Sequence, residues 1–188
     1  MFNTASILNS LLTAVGRMSG VESVSALKER GLRIGNNVHI GGGVVFDSSH
    51  CWLITVGDNV TIAPHVHVLA HDASTKRTLG YTRIGLVSIG EGSFIGARTV
   101  ILPGVRIGSR VIVGAGSVVT KDISDDKVAA GNPVKIIMST EEYFKKHADI
   151  IKRSPVFGKE WTMDGGITNK MKADMIERLL KDRIGYIV

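Results

Sequence analysis

Cysteine is all but missing from this chain of 188 residues: Cys51 stands alone, so no disulfide can close within the sequence. A small fold stapled by bridges is excluded, and the free thiol agrees with a reducing, cytoplasmic setting. Aromatic residues are scarce as well, at 5%. The 44% of residues that are hydrophobic are ample for a core, but one made of Ile, Val and Ala, which suits a narrow interior. Long apolar runs are also lacking. The stretch 5–15 is interrupted by Asn9, Ser10 and Thr13 and has no cationic flank before it. It falls short of the roughly 20 residues needed to cross a bilayer, so neither a membrane span nor a signal peptide is expected. Charge of one sign never gathers. A net charge of +6 is scattered along the chain, which argues against a nucleic-acid partner and leaves room for a polyanionic small ligand.

What is abundant is a period of six. Residues 89–124 read IGEGSF, IGARTV, ILPGVR, IGSRVI, VGAGSV, VTKDIS, with Ile89, Ile95, Ile101, Ile107, Val113 and Val119 opening successive blocks. The second slot is mostly glycine (Gly90, Gly96, Gly108, Gly114), and the fifth is small or branched (Ser93, Thr99, Val105, Val111, Ser117, Ile123). The period is too short for a helical repeat and too regular for an ordinary sheet. It predicts a solenoid whose short strands each send one aliphatic side chain inward, with glycine or asparagine at corners that need a positive φ. The same phase begins earlier, at Ile34, Ile40 and Phe46. It slips over 52–55, resumes at Val56, Ile62 and Val68, and breaks again over about 74–88. Interruptions in repeat proteins tend to become loops on the binding face. The second one is polar, carries Lys76, Arg77 and Arg83, and directly follows His71, which makes it the candidate lid.

The hexads, the segment VGAGSVVTKD (113–122) and the close AAGNPVKII (129–137) together resemble the hexapeptide-repeat acyltransferases. The likeness is strongest to the maltose, galactoside and capsular-polysaccharide O-acetyltransferases, and FDSSHCWLI (46–54) with LAHDAST (69–75) favours the capsular branch. The resemblance covers about 32–138. It implies a mainly β fold, a left-handed parallel β-helix with three hexads per turn. It further implies a homotrimer, acetyl-CoA as co-substrate in a groove between subunits, a carbohydrate acceptor and no metal.

Acyl transfer from a thioester to an alcohol needs one well-placed general base, and histidine suits that task near neutral pH. The chain has six: His39, His50, His65, His67, His71 and His147. Spacing alone does not single out one of them; the resemblance matches His71 to the family's catalytic histidine. His65 and His67 are expected on one short strand segment, both at the surface. Allowing for the slip, Phe46 lies one coil below Val68, so Asp47 and His50 are expected to share a cleft with His71. Asp47 has three readings: bonding sugar hydroxyls, orienting His71, or bonding its own turn. Asp72 is likewise a substrate-binding candidate. The resemblance carries donor binding to Ala97, Ala115, Thr120, Lys121 and Lys135. Ala97 and Ala115 would stack one turn apart, leaving room for the pantetheine arm, and the lysines would meet phosphates. Met138 departs from the pattern, because relatives tend to carry a further basic residue there.

The flanks complete the division. Residues 1–31 read as an N-terminal helical segment, with helices over about 3–15 and 22–30, the second ended by Gly31. Residues 32–138 form the β-helix, and 139–188 a helical extension. In the extension one helix starts at Thr140 and runs to about 152. Another spans about 168–182, with an apolar stripe of Met171, Met175, Ile176, Leu179 and Leu180, as a cap on the last coil or on a neighbouring subunit. Three other functions are weighed. A γ-class carbonic anhydrase needs three converging histidines, which the spacing does not supply. A xenobiotic (antibiotic) acetyltransferase and a non-catalytic trimeric scaffold share the fold.

Overall fold

The computed structural model describes residues 22–188; the helix expected over 3–15 lies outside them. The chain divides into two compact units at the Thr140–Glu141 junction. Among the described residues the first begins with helix α1, Val24–Glu29, close to the expected 22–30. Ser23 caps it by accepting a hydrogen bond from the Ala26 N–H at 3.3 Å, and Gly31 turns the chain out at φ +104°. Its buried Leu27 joins the core of the coils.

From there the backbone winds through three sheets, one strand of each per turn. One face holds Arg33–Ile34, Ile54–Val56, Val87–Ile89 and Arg106–Ile107 in parallel register. A second stacks His39–Ile40, Thr61–Ile62, Phe94–Ile95, Ile112–Val113 and Lys127–Ala130, then ends on Lys135–Ser139, which runs antiparallel. The third holds Val45–Phe46, His67–Val68, Val100–Ile101 and Val118–Val119. Ile89 pairs with Ile107, Ile95 with Val113 and Ile101 with Val119, each step spanning three hexads as the repeat predicts. Every one of these first-slot residues is buried, and so are the fifth-slot Ser93, Thr99, Val105, Val111 and Ser117. The buried hydroxyls are satisfied: Ser93 Oγ donates to the Gly108 carbonyl at 2.9 Å and accepts from the Val111 N–H at 3.0 Å.

Two details differ from the sequence reading. The second-slot glycines are required by close approach between coils, not by a positive φ. A Cβ on Gly90 would stand 2.5 Å from the backbone of Gly108, and one on Gly96 2.5 Å from the Ala115 nitrogen. Positive φ falls two residues later, at a corner column of Asn59, Gly92, Arg110 and Asp126. The last block, VTKDIS, is also not a full hexad. Ile123 bridges to Ile107 and Ala129 pairs with Val113, so this coil is two residues short and Ile123 takes a first-slot place.

The interruptions are compact. The slip at 52–55 is absorbed by a single tight turn over Cys51–Leu53. The break after His71 is an arm in which His71–Asp72 pairs antiparallel with Arg83–Ile84, with the one-turn helix α2, Lys76–Leu79, between them. Helix α3, Thr140–Ile151, starts at the junction, and in the second unit helix α4 spans Asn169–Asp182. Val156–Phe157 and Tyr186–Ile187 form a two-stranded parallel ribbon. The expected stripe on α4 is split: Met171, Met175 and Leu179 are half-buried, whereas Ile176 and Leu180 are exposed. Among the described residues, no helix is long and apolar enough to cross a membrane.

Candidate active site

Coil stacking builds the site. Phe46 pairs with Val68, and the Asp47 N–H donates to the Val68 carbonyl at 2.9 Å, so the residues after the two strands run side by side. Asp47 therefore faces Ala70 and His71 although 24 positions separate it from the histidine. Its Oδ2 lies 2.5 Å from His71 Nδ1 and accepts the Ala70 N–H at 2.9 Å. Its Oδ1 accepts from the backbone N–H groups of Ser49 at 3.0 Å and His50 at 3.2 Å. Two of the three readings of Asp47 thus hold at once: it ties its own turn and orients the imidazole. Burial alone would raise the Asp47 carboxyl pKa, but the hydrogen bonds from His71 and from the Ala70 and His50 backbone outweigh it. The group sits below the ordinary carboxylate range.

With Nδ1 turned to a buried carboxylate, His71 keeps Nε2 outside that contact, the arrangement in which a neutral imidazole accepts a proton at one nitrogen while the other is held. The His71 side chain is 35% exposed and Asp47 1%. A cavity of about 200 Å³ opens beside them, lined by Glu22, Val45, Phe46, Ser48, Ser49 and Leu69 as well as the pair itself. Glu22 accepts a 2.6 Å bond from Arg30, whose other terminal nitrogen donates to the Ser48 carbonyl. Leu69 and the two serines follow from coil stacking and were open to inference from the slip. Glu22 had no sequence signal.

His50 joins the cluster, its ring centroid 5.2 Å from that of His71 and 5.4 Å from that of the half-exposed Trp52. Asp72 accepts the Ser74 N–H at 2.9 Å, bonding its own turn. His65 is not on a strand as expected but at a corner with φ +61°, and His67 lies on its strand; both are exposed. His39 sits on another face, so three histidines do not converge. The donor-side candidates gather on the later coils. The Gly116 N–H donates to the Ala97 carbonyl at 2.8 Å, placing Ala97 one turn from Ala115. Val134 N–H bonds the Val118 carbonyl at 2.9 Å, which sets Lys135 beside the strand that Thr120 and Lys121 follow; all three are exposed.

Residues 87–121 match the family described as bacterial transferase hexapeptide (six repeats). Over 157 residues the chain is 33% identical to the galactoside O-acetyltransferase of Escherichia coli (strain K12), covering 76% of this chain and 73% of that one. The chain belongs to the hexapeptide-repeat transferases. Within them it is an acyltransferase, similar to the galactoside O-acetyltransferases. A hexapeptide-repeat acetyltransferase of Vibrio cholerae, solved with acetyl coenzyme A, is 33% identical with a TM-score of 0.53. That match covers 58% of this chain and 61% of the other. A galactoside acetyltransferase solved in complex with coenzyme A is also 33% identical, with a TM-score of 0.52, over 64% of this chain and 71% of its own.

Proposed function

We propose that this hexapeptide-repeat acyltransferase moves an acetyl group from acetyl-CoA to a hydroxyl of a carbohydrate or glycan intermediate, with His71 as general base. The observation that carries the reading is the 2.5 Å contact between His71 Nδ1 and the buried Asp47 carboxylate. It fixes the ring with Nε2 free to take the proton of the acceptor hydroxyl. As that proton moves, the hydroxyl oxygen bonds to the thioester carbonyl carbon. Asp47 stays ionised and stabilises the imidazolium that forms. Collapse of the tetrahedral intermediate breaks the carbon–sulfur bond, and His71 returns the proton to the leaving CoA thiolate. Backbone N–H groups at a coil corner stabilise the transient oxyanion.

The donor is acetyl-CoA, in keeping with the two relatives solved with acetyl-CoA or CoA. In this reading the pantetheine arm passes over Ala97 and Ala115, and Thr120, Lys121 and Lys135 meet its polar end. The acceptor enters the cavity beside Asp47 and His71, with His50 at its rim. Asp72 has no part in moving the proton, because it is bonded to Ser74. The family likeness further supports a left-handed winding, a homotrimer with each donor groove between two subunits, and a cytoplasmic setting where acetyl-CoA is at hand. The 32–138 β-helix then carries the chemistry, and 139–188 serves as an appended helical unit.

Thiol release from acetyl-CoA with neutral sugars, nucleotide sugars, lipid-linked glycans and a chloramphenicol-type drug as acceptors tests the reading. Turnover with a saccharide supports it. Turnover with the drug alone moves the assignment to the xenobiotic branch, and no turnover with any acceptor leaves a scaffold.

A further inference from the structure

We infer that Asp47, His50 and His71 form a binding site for a divalent transition-metal ion of the Zn²⁺ or Co²⁺ class, and that occupancy of this site withdraws His71 from catalysis. Each of the three residues offers one ligand atom, and these atoms all lie within 4.8 Å of one another. Two imidazoles and one carboxylate are the donor set that Zn²⁺ and Co²⁺ favour over Mg²⁺ or Ca²⁺. Bonds of roughly 2.0–2.2 Å in a tetrahedral site put ligand atoms about 3.3 Å apart. The Asp47–His71 contact must therefore open by under an ångström while His50 closes in. The partly exposed imidazoles have room to make that shift.

Asp47 is already set up as such a ligand is. Its orientation is fixed by the N–H groups of Ser49, His50 and Ala70, the kind of outer-shell bonding that aims ligating carboxylates. A second observation points the same way. His50 Nδ1 is buried without a hydrogen-bond partner, the single such side-chain atom among the described residues. The fold thus leaves an imidazole unsatisfied beside a carboxylate and a second imidazole. The fourth coordination position opens on the cavity lined by Asp47 and His71, where water completes the shell.

The consequence for the base follows from proton balance. Neutral His71 carries one ring proton, on Nδ1 where it faces Asp47. A metal taking the Nδ1 lone pair requires the other tautomer, so that proton moves through solvent to Nε2. The ring remains neutral, but Nε2 becomes a donor and can no longer accept the proton of an acceptor hydroxyl. Metal and catalysis therefore compete for one imidazole, and the ion acts as an inhibitor rather than a cofactor.

The experiment uses the whole 188-residue chain dialysed against chelator. Addition of Co²⁺, with neither acetyl-CoA nor acceptor present, should produce visible d–d bands that saturate at one ion per chain. His50→Ala and Asp47→Asn should each weaken that binding more than about tenfold. His67→Ala, on an exposed strand position, should leave it unchanged. His50→Gln, which keeps much of the ring's volume, repeats the test should His50→Ala fail to fold. In the transfer assay Zn²⁺ should inhibit the chelated wild type, and chelator should restore it. Equal Co²⁺ binding in wild type, His50→Gln and Asp47→Asn would overturn the site. Saturated binding with undiminished transfer would overturn the inhibition. The spectral arm needs no acceptor, so it stands or falls apart from the saccharide reading.

Discussion

Asp47 uses both carboxylate oxygens, one on its own turn and one on the imidazole, and its burial makes each bond matter more than it would in water. Removing the base itself gives the clearest prediction. His71→Ala should keep the fold and CoA affinity while lowering kcat by roughly 10²–10⁴, the usual worth of a positioned general base. Steady-state kinetics with a saccharide acceptor, alongside a CoA-binding titration, checks it. Asp47→Asn should impair both stability and turnover, and its pH behaviour carries a sign. The native carboxyl pKa lies below its unfolded value, so ionised Asp47 contributes stability that is fully present above about pH 3.9. That contribution is lost as pH falls through the lower native value. Melting curves should show the gap between wild type and Asp47→Asn constant above that range and narrowing below about pH 4.

Among the elements, the hexad distributes its tasks by slot. First-slot Ile and Val fill the interior, fifth-slot side chains pack or bond between coils, and second-slot glycines let neighbouring backbones approach. Gly90→Ala tests the last of these. Its Cβ would fall 2.5 Å from Gly108 backbone atoms, so one coil must shift, at a cost of about 1–3 kcal/mol. A lower Tm with His71 chemistry retained is expected. Gly116→Ala is the contrast: no atom stands near its would-be Cβ, but its φ of +69° makes alanine strain the corner instead. The arm between His71 and Arg83 belongs to this scale too. It was legible as an interruption, but a polar loop was expected and a paired, helix-tipped hairpin is found, with Leu79 and Tyr81 exposed on it.

For the molecule as a whole, the predictions concern donor and assembly. Charge reversal at Lys121 or Lys135 should raise the apparent Km for acetyl-CoA before it alters kcat, because both lie on the later coils, apart from the proton path. Sedimentation at assay concentrations should give three chains per particle. The exposed Phe94, Ile136 and Ile137 along one sheet of the coils are apolar surface that association would cover. A fully active monomer would remove the intersubunit groove from the proposal.

The sequence by itself determined the coil: an aliphatic residue every six positions states the period, the inward face and the stacking of residues 18 apart. It also located both interruptions and put His71 at the edge of one, because a repeat makes its own breaks visible. The two-residue shortening at the last coil escaped it, since Ile123 satisfies the hexad pattern in either phase and only pairing with Ile107 decides. The partner of His71 escaped it for a related reason. Local spacing left Asp47 equally suited to its own turn, and Asp72 adjoined the histidine directly. Tertiary stacking separates them: Asp47 is carried across one coil to Nδ1, while Asp72 is drawn into the turn with Ser74. A period fixes which residues share a column; hydrogen-bond partners across columns depend on insertion length and corner geometry, which the fold alone supplies.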